Sequence, residues 1–192
     1  MYQAVPDPYC YKGTTVLKNR LGIRDQEALD QVEADTTAQR FAEPLPQGSF
    51  TATHYCSIHR HLFGDIYAWA GRFRVTRISK GDSTFCYPEN IPAQMRALFG
   101  ALKAENCFSG LDPNEFSTRS AHFLAELNAI HAFREGNGRT QLAFLTLLAD
   151  RAGHSVRNTI LRPEVILDAM ITSFKGDEAP LVGVISSLIT PA

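Results

Sequence analysis

Apolar residues along this chain recur mostly at helical spacing, and the breaks between periodic stretches fall at glycine, proline and short polar side chains. The two clearest stretches lie back to back. Ala121, Phe123, Leu124, Leu127 and Ile130 form one apolar stripe, and Leu142, Phe144, Leu145, Leu147 and Leu148 form the next. Asp112 as cap and Pro113 as first helical residue predict the start of the first helix, which the pattern carries to His131. Gly138 opens the second and Gly153 stops it. Between the two stripes, the polar run 131–142 predicts a loop held by buried helices.

Upstream, Asp25 predicts the cap of a helix through about Ala42, with Ala28, Leu29, Val32 and Ala38 on its apolar stripe. Ser49 or Thr51 opens another, whose face is Tyr55, Ile58, His59, Leu62 and Phe63. Further helices are predicted from Glu89 to about Asn106, from Pro163 to Phe174 and from Ala179 to Ile189, and a short one from Thr14 and Thr15 to Leu21. Residues 1–13, with Pro6, Pro8 and Gly13, predict an extended arm. One stretch keeps a different period. Residues 72–78 alternate in twos and Lys80-Gly81-Asp82-Ser83 is turn-rich, so 72–87 predicts a β-hairpin with Phe73 and Val75 against the core. On that reading Arg72, Arg74 and Arg77 face outward, either toward a nucleotide or acidic target or only to solubilise an edge.

Composition narrows the class. At 192 residues one substantial core is expected and nothing demands a second, so 1–192 reads as a single, mainly α domain. Hydrophobic residues at 44%, charged residues at 20% and a net charge of -1 argue against a general nucleic-acid or membrane binder. Cys10, Cys56, Cys86 and Cys107 are scattered without a Cys-x-x-Cys pair, which predicts reduced thiols in the cytoplasm rather than a zinc site or a disulfide framework. No basic, apolar leader opens the chain, although export by a specialised secretion system would leave no such mark. His54, His59 and His61 are spaced to scatter around a helix, so they read as packing or solvated histidines.

The chemistry concentrates in 131–142. Two glycines separated by one residue let the backbone turn and aim consecutive N–H groups into one concavity where a helix opens, which is a cradle for phosphate. Arg139 offers a charged fork for phosphate oxygens, Glu135 a hard oxygen for a divalent cation, and His131 a base near neutral pH. The Walker and dinucleotide fingerprints do not fit, the latter because Gln141 stands where a third glycine belongs. Helix capping and surface pairing would account for an isolated Gly-Asn-Gly turn, but not for this many functional residue types in order; within the run, Arg134 reads as a solvated side chain and Phe133 as a hydrophobic plug.

The run His131-Ala132-Phe133-Arg134-Glu135-Gly136-Asn137-Gly138-Arg139 closely resembles the motif of Fic-domain proteins, His-Pro-Phe-x-Asp/Glu-Gly-Asn-Gly-Arg-x-x-Arg. Tyr11 to Leu21 also looks like the start of many such domains. The resemblance implies a helical bundle with one β-hairpin flap beside the loop, and transfer of AMP from ATP to a Tyr, Thr or Ser hydroxyl of a target protein. It implies His131 as catalytic base, Glu135 as ligand of Mg2+, and Gly136, Asn137, Gly138 and Arg139 as the nucleotide site. The flap, Ile78, Ser79, Lys80, Gly81, Asp82, Ser83 and Thr84, would dock the target. Two positions depart from the motif. Ala132 replaces proline and removes no chemical group, whereas Leu142 replaces the last arginine, which in the family reaches the terminal phosphate. The family's inhibitory run, Ser/Thr-x-x-x-Glu-Gly/Asn, is missing: Thr37 is followed four places on by Phe41, and Ser173 by Asp177. The resemblance then implies a bacterial toxin with a separate small antitoxin protein, or an unregulated member. The alternatives are transfer of another phosphate-containing group, or a binding protein whose catalysis is weakened at Leu142.

Overall fold

A computed structural model describes residues 7–80, 83–156 and 163–191, and helices dominate them. In chain order these are α1 (Gln26–Ala42), α2 (Ala52–Phe63), α3 (Ile91–Ala104), α4 (Pro113–Ile130), α5 (Asn137–Ala152), α6 (Pro163–Phe174) and α7 (Ala179–Leu188). The ends follow local chemistry. Asp25 accepts from the Ala28 N–H, Thr51 from the His54 N–H, and Asp112 from the N–H groups of Asn114 and Glu115, each satisfying amides that no helical carbonyl can reach. Gly153 closes α5 in the left-handed conformation that glycine adopts without strain.

The core gathers where α2, α3, α4 and α5 meet. Phe144 of α5 lies 5.5–5.8 Å from the rings of Phe50, Tyr55, Phe99 and Phe123, drawn from each side of it. Edge-to-face and stacked pairs of this kind each add about 0.5–1.5 kcal/mol beyond area burial. Phe133 is fully buried against Tyr55, which anchors the loop between α4 and α5 from beneath. α6 and α7 pack on α4 and make the far wall of the cavity described below.

Two small antiparallel sheets complete the fold. β1 (Ser79–Lys80) pairs with β2 (Ser83–Thr84) in the register Ser79 to Thr84. β3 (His154–Val156) pairs with β4 (Ile189–Pro191) and ties the segment after α5 to the end of α7.

Several expectations need correction. The stripe of α1 is turned: Leu29, Glu33 and Thr37 are buried, while Ala28 and Ala38 are exposed. The segment after Thr14 is not helical; Tyr11 donates to Val16, and Cys10 bridges Leu17, in a tight turn. The hairpin is far shorter than 72–87. Its alternation is inverted at the base, where Val75 is 71% exposed and Arg74 only 1%. A short 3-10 turn, Pro88–Asn90, precedes α3 because Pro92 at its second position resets the backbone.

Candidate active site

The loop between α4 and α5 is held through its main-chain carbonyls. His131 ends α4 in the left-handed region (φ 49°), rare for a side chain other than glycine. Arg74 secures it. Its guanidinium donates to the carbonyls of His131 (2.8 Å) and Ile130 (3.3 Å), and its own N–H donates to Ala132 (2.9 Å). Further on, the Asn137 carboxamide accepts from the Phe133 N–H (2.9 Å) and donates to the Phe133 carbonyl (2.8 Å). His59 meets the Glu135 carbonyl at 3.0 Å, and Thr140 donates to that of Gly136 through both N–H and hydroxyl. Carbonyls 130–133, 135 and 136 are thus all engaged.

His59 is a residue whose part the sequence hid. The Gly71 N–H donates to its Nδ1 (2.9 Å), which leaves the proton on Nε2 to reach the Glu135 carbonyl. Phe63 and Phe133 flank the ring at 4.8 and 3.8 Å. Burial pushes its pKa down from 6.5 to about 4, and the nearby Arg139 charge acts in the same direction. It is a neutral hydrogen-bonding link. His54 and His61 likewise meet backbone carbonyls, of Pro46 and Arg40.

Only one glycine makes the turn. Gly136 sits at φ +80°, and a Cβ there would come within 2.3 Å of the Phe63 ring. Gly138 already lies in α5, and a Cβ on it would meet nothing within 4 Å. Gly138 is exposed and lines the cavity. Gly136 caps α5 without any side-chain bond, so the first-turn amides have neither a helical nor a side-chain cap partner. The Asn137 side chain is spent on the loop, which leaves its N–H as what it can offer a ligand.

Arg139 is anchored rather than loose. It pairs with Glu33 of α1, donates to the Thr37 hydroxyl (3.2 Å), lies 3.4 Å from Glu135 and packs over the Phe63 ring at 4.7 Å. The second oxygen of Glu33 accepts from the Tyr67 hydroxyl, whose pKa is raised by burial and then by that carboxylate. Glu33 escaped notice among the acidic residues of α1. The available signal was its spacing, four residues after Leu29 and four before Thr37, which puts a carboxylate on the buried stripe and so demands a partner. Glu135 accepts from the Gly136 N–H through one oxygen and is 43% exposed at its side chain. Arg134 is not solvated as expected: it pairs with Asp7 at 2.8 Å and ties the described part of the arm to the loop, residues 1–6 lying outside the described residues.

A cavity of about 790 Å³ opens over this loop. His131, Glu135, Gly136, Asn137, Gly138 and Arg139 line its polar side, and Leu142, Leu145, Met170, Leu181 and Ile185 its apolar side. Ile78 and Ser79 reach it from the flap, and Phe85 at the flap's foot stacks on the His131 ring at 3.9 Å. Thr84 is exposed; Gly81 and Asp82 lie outside the described residues, and of Lys80 and Ser83 only the backbone pairing is described. No group of three metal-binding side chains exists among the described residues. A single carboxylate beside the open first-turn amides of α5 nevertheless suits magnesium, which takes one or two protein carboxylates and completes its shell with phosphate and water.

A family model described as Fic/DOC matches residues 49–149. The chain is 48% identical over 189 residues to the probable protein adenylyltransferase y4lH of Sinorhizobium fredii, covering 98% of each. It is 38% identical over 179 residues to the protein adenylyltransferase VbhT of Bartonella schoenbuchensis, 92% of this chain and 37% of that longer one. Among solved structures it resembles BepC of Bartonella tribocorum with bound AMPPNP, at a TM-score of 0.86 and 28% identity over 96% of this chain and 97% of that one.

Proposed function

The chain belongs to the Fic/DOC family and is a protein adenylyltransferase, and we propose that it moves AMP from ATP to a Tyr, Thr or Ser hydroxyl of a target protein, with His131 as base. One observation carries this reading: His131, Glu135 and the open first turn of α5 converge on a single cavity beside an edge that can pair with an extended segment. His131 takes the hydroxyl proton, the hydroxyl oxygen bonds to the α-phosphorus, and the bond to the bridging oxygen breaks to release pyrophosphate. The amides of Asn137, Gly138 and Arg139 receive phosphate oxygens, and the room above Gly138 lets them approach. Arg139, steadied by Glu33, adds positive charge at the same place. Glu135 would hold magnesium, which supplies charge neutralisation on the phosphates. The apolar wall around Leu145, Met170 and Ile185 suits the adenine. The flap's backbone edge from Ser79 would register the target.

The partner we propose is a small antitoxin-like protein, since the family's inhibitory run is missing from this sequence. Among the described residues no helix is long and apolar enough to cross a membrane. A weaker nucleotide grip is the second reading. Leu142 lines the cavity where the motif has arginine, so one phosphate contact is lost.

The test uses purified protein, magnesium, ATP labelled at its α-phosphate and a bacterial lysate. Labelled protein bands are expected, and His131→Ala should reduce labelling by about a hundredfold to ten-thousandfold while ATP binding persists. Labelling that survives in His131→Ala would remove the imidazole from the reaction.

A further inference from the structure

Arg74 is a fully buried cation with no ion pair among the described residues, and every contact described for its guanidinium is to a main-chain carbonyl. Those carbonyls belong to two different parts of the molecule. Ile130 and His131 are the last turn of α4, whose negative end the charge also offsets. Thr76 and Cys86, each at 2.6 Å, are the two feet of the flap. Next to Cys86 is Phe85, whose ring lies on the His131 imidazole, and next to Thr76 is Arg77, which lines the cavity.

We propose that Arg74 is a positioning residue for AMP transfer: one guanidinium fork holds the flap in register with His131, so that the hydroxyl of a target segment docked on the flap arrives at the base. The proposal rests on the reading of His131 as base. The fork geometry is what matters. A guanidinium presents five N–H groups in a plane and so reaches carbonyls on two sides at once, whereas a lysine ammonium presents three donors from a single atom. The charge alone therefore does not suffice. The nucleotide site is braced separately, by Asn137, His59 and Thr140, so ATP binding should not pass through Arg74.

The experiment measures lysate labelling with α-labelled ATP and, in parallel, magnesium-ATP binding by calorimetry for Arg74→Lys and Arg74→Ala. The rate at saturating ATP should fall by about a hundredfold in both, the scale expected when reacting groups are misplaced by an ångström, with ATP affinity within about threefold of wild type. Millimolar guanidinium should restore labelling to Arg74→Ala, and ammonium at the same concentration should not. A wild-type rate in Arg74→Lys, rescue by ammonium, or loss of ATP binding in step with rate would each overturn the proposal. So would failure of both variants to fold, since that makes the side chain a structural brace only. Should His131→Ala keep its labelling while the Arg74 variants lose theirs, the base assignment fails instead.

Discussion

Gly136 and Gly138 stand two residues apart and answer to different demands. At Gly136 a methyl group would strike the Phe63 ring and sit at a φ of +80°, so Gly136→Ala should destabilise the protein by about 2–4 kcal/mol in urea unfolding. At Gly138 the same methyl meets no protein atom and improves helix propensity, so Gly138→Ala should hold or raise stability by about 0.5–1 kcal/mol. Its cost falls on the ligand, because the methyl occupies room over the α5 amides. Weaker ATP binding with an unchanged or slightly raised melting temperature is the expected pairing, and unchanged ATP binding would show that phosphate lies elsewhere. Sequence reading assigned one role to both glycines, since spacing alone cannot reveal which φ is positive. It also set Arg74 outward, because alternation on a short segment says which residues share a face but not which face is covered.

At the scale of elements, α2 braces the loop through His59. Its pKa is lowered in the fold, so the unfolded chain binds the extra proton between pH 6.5 and about 4. Stability from this group is therefore complete above pH 6.5 and declines as pH falls toward 4, by up to about 3 kcal/mol. The loss has a structural meaning: a protonated ring can no longer accept the Gly71 N–H. Unfolding measured from pH 7 to 4 should show this slope, and His59→Gln, which cannot titrate, should flatten it. An unchanged slope would move the acid sensitivity to other groups. Most helix ends were legible in advance because caps such as Asp25, Thr51 and Asp112 act locally. The face of α1 was not. With Ala28 and Ala38 too small to dictate burial, the Glu33 partnership with Arg139 and Tyr67 decides the rotation, and that partner lies 106 residues away.

Across the whole molecule, the cavity borrows walls from α4, α5, α6, α7 and the flap, so a nucleotide bound there stabilises all of them together. This gives a readout for Leu142. An arginine at that position would add a charged contact worth about 1.5–3 kcal/mol to bound ATP, and Leu142→Arg should therefore enlarge the rise in melting temperature caused by magnesium-ATP. No difference from wild type would mean that another cation already fills that place. The central motif and the two helices beside it were readable because chemistry and helix period coincide in one continuous run. The braces Arg74, His59 and Glu33 were not, because each acts across a long stretch of chain, Glu33 on the Arg139 and Tyr67 side chains, and Arg74 and His59 on main-chain oxygens that every residue possesses.

That last property carries a practical consequence. The supports Arg74 and His59 grip main-chain oxygens and leave the substituents at the cavity-lining positions 138 and 142 outside the loop's hydrogen bonds. Reactivity at this turn can then be retooled by exchanging those groups on a chassis that stays rigid, which makes the protein a starting point for directed evolution of new transfer chemistries.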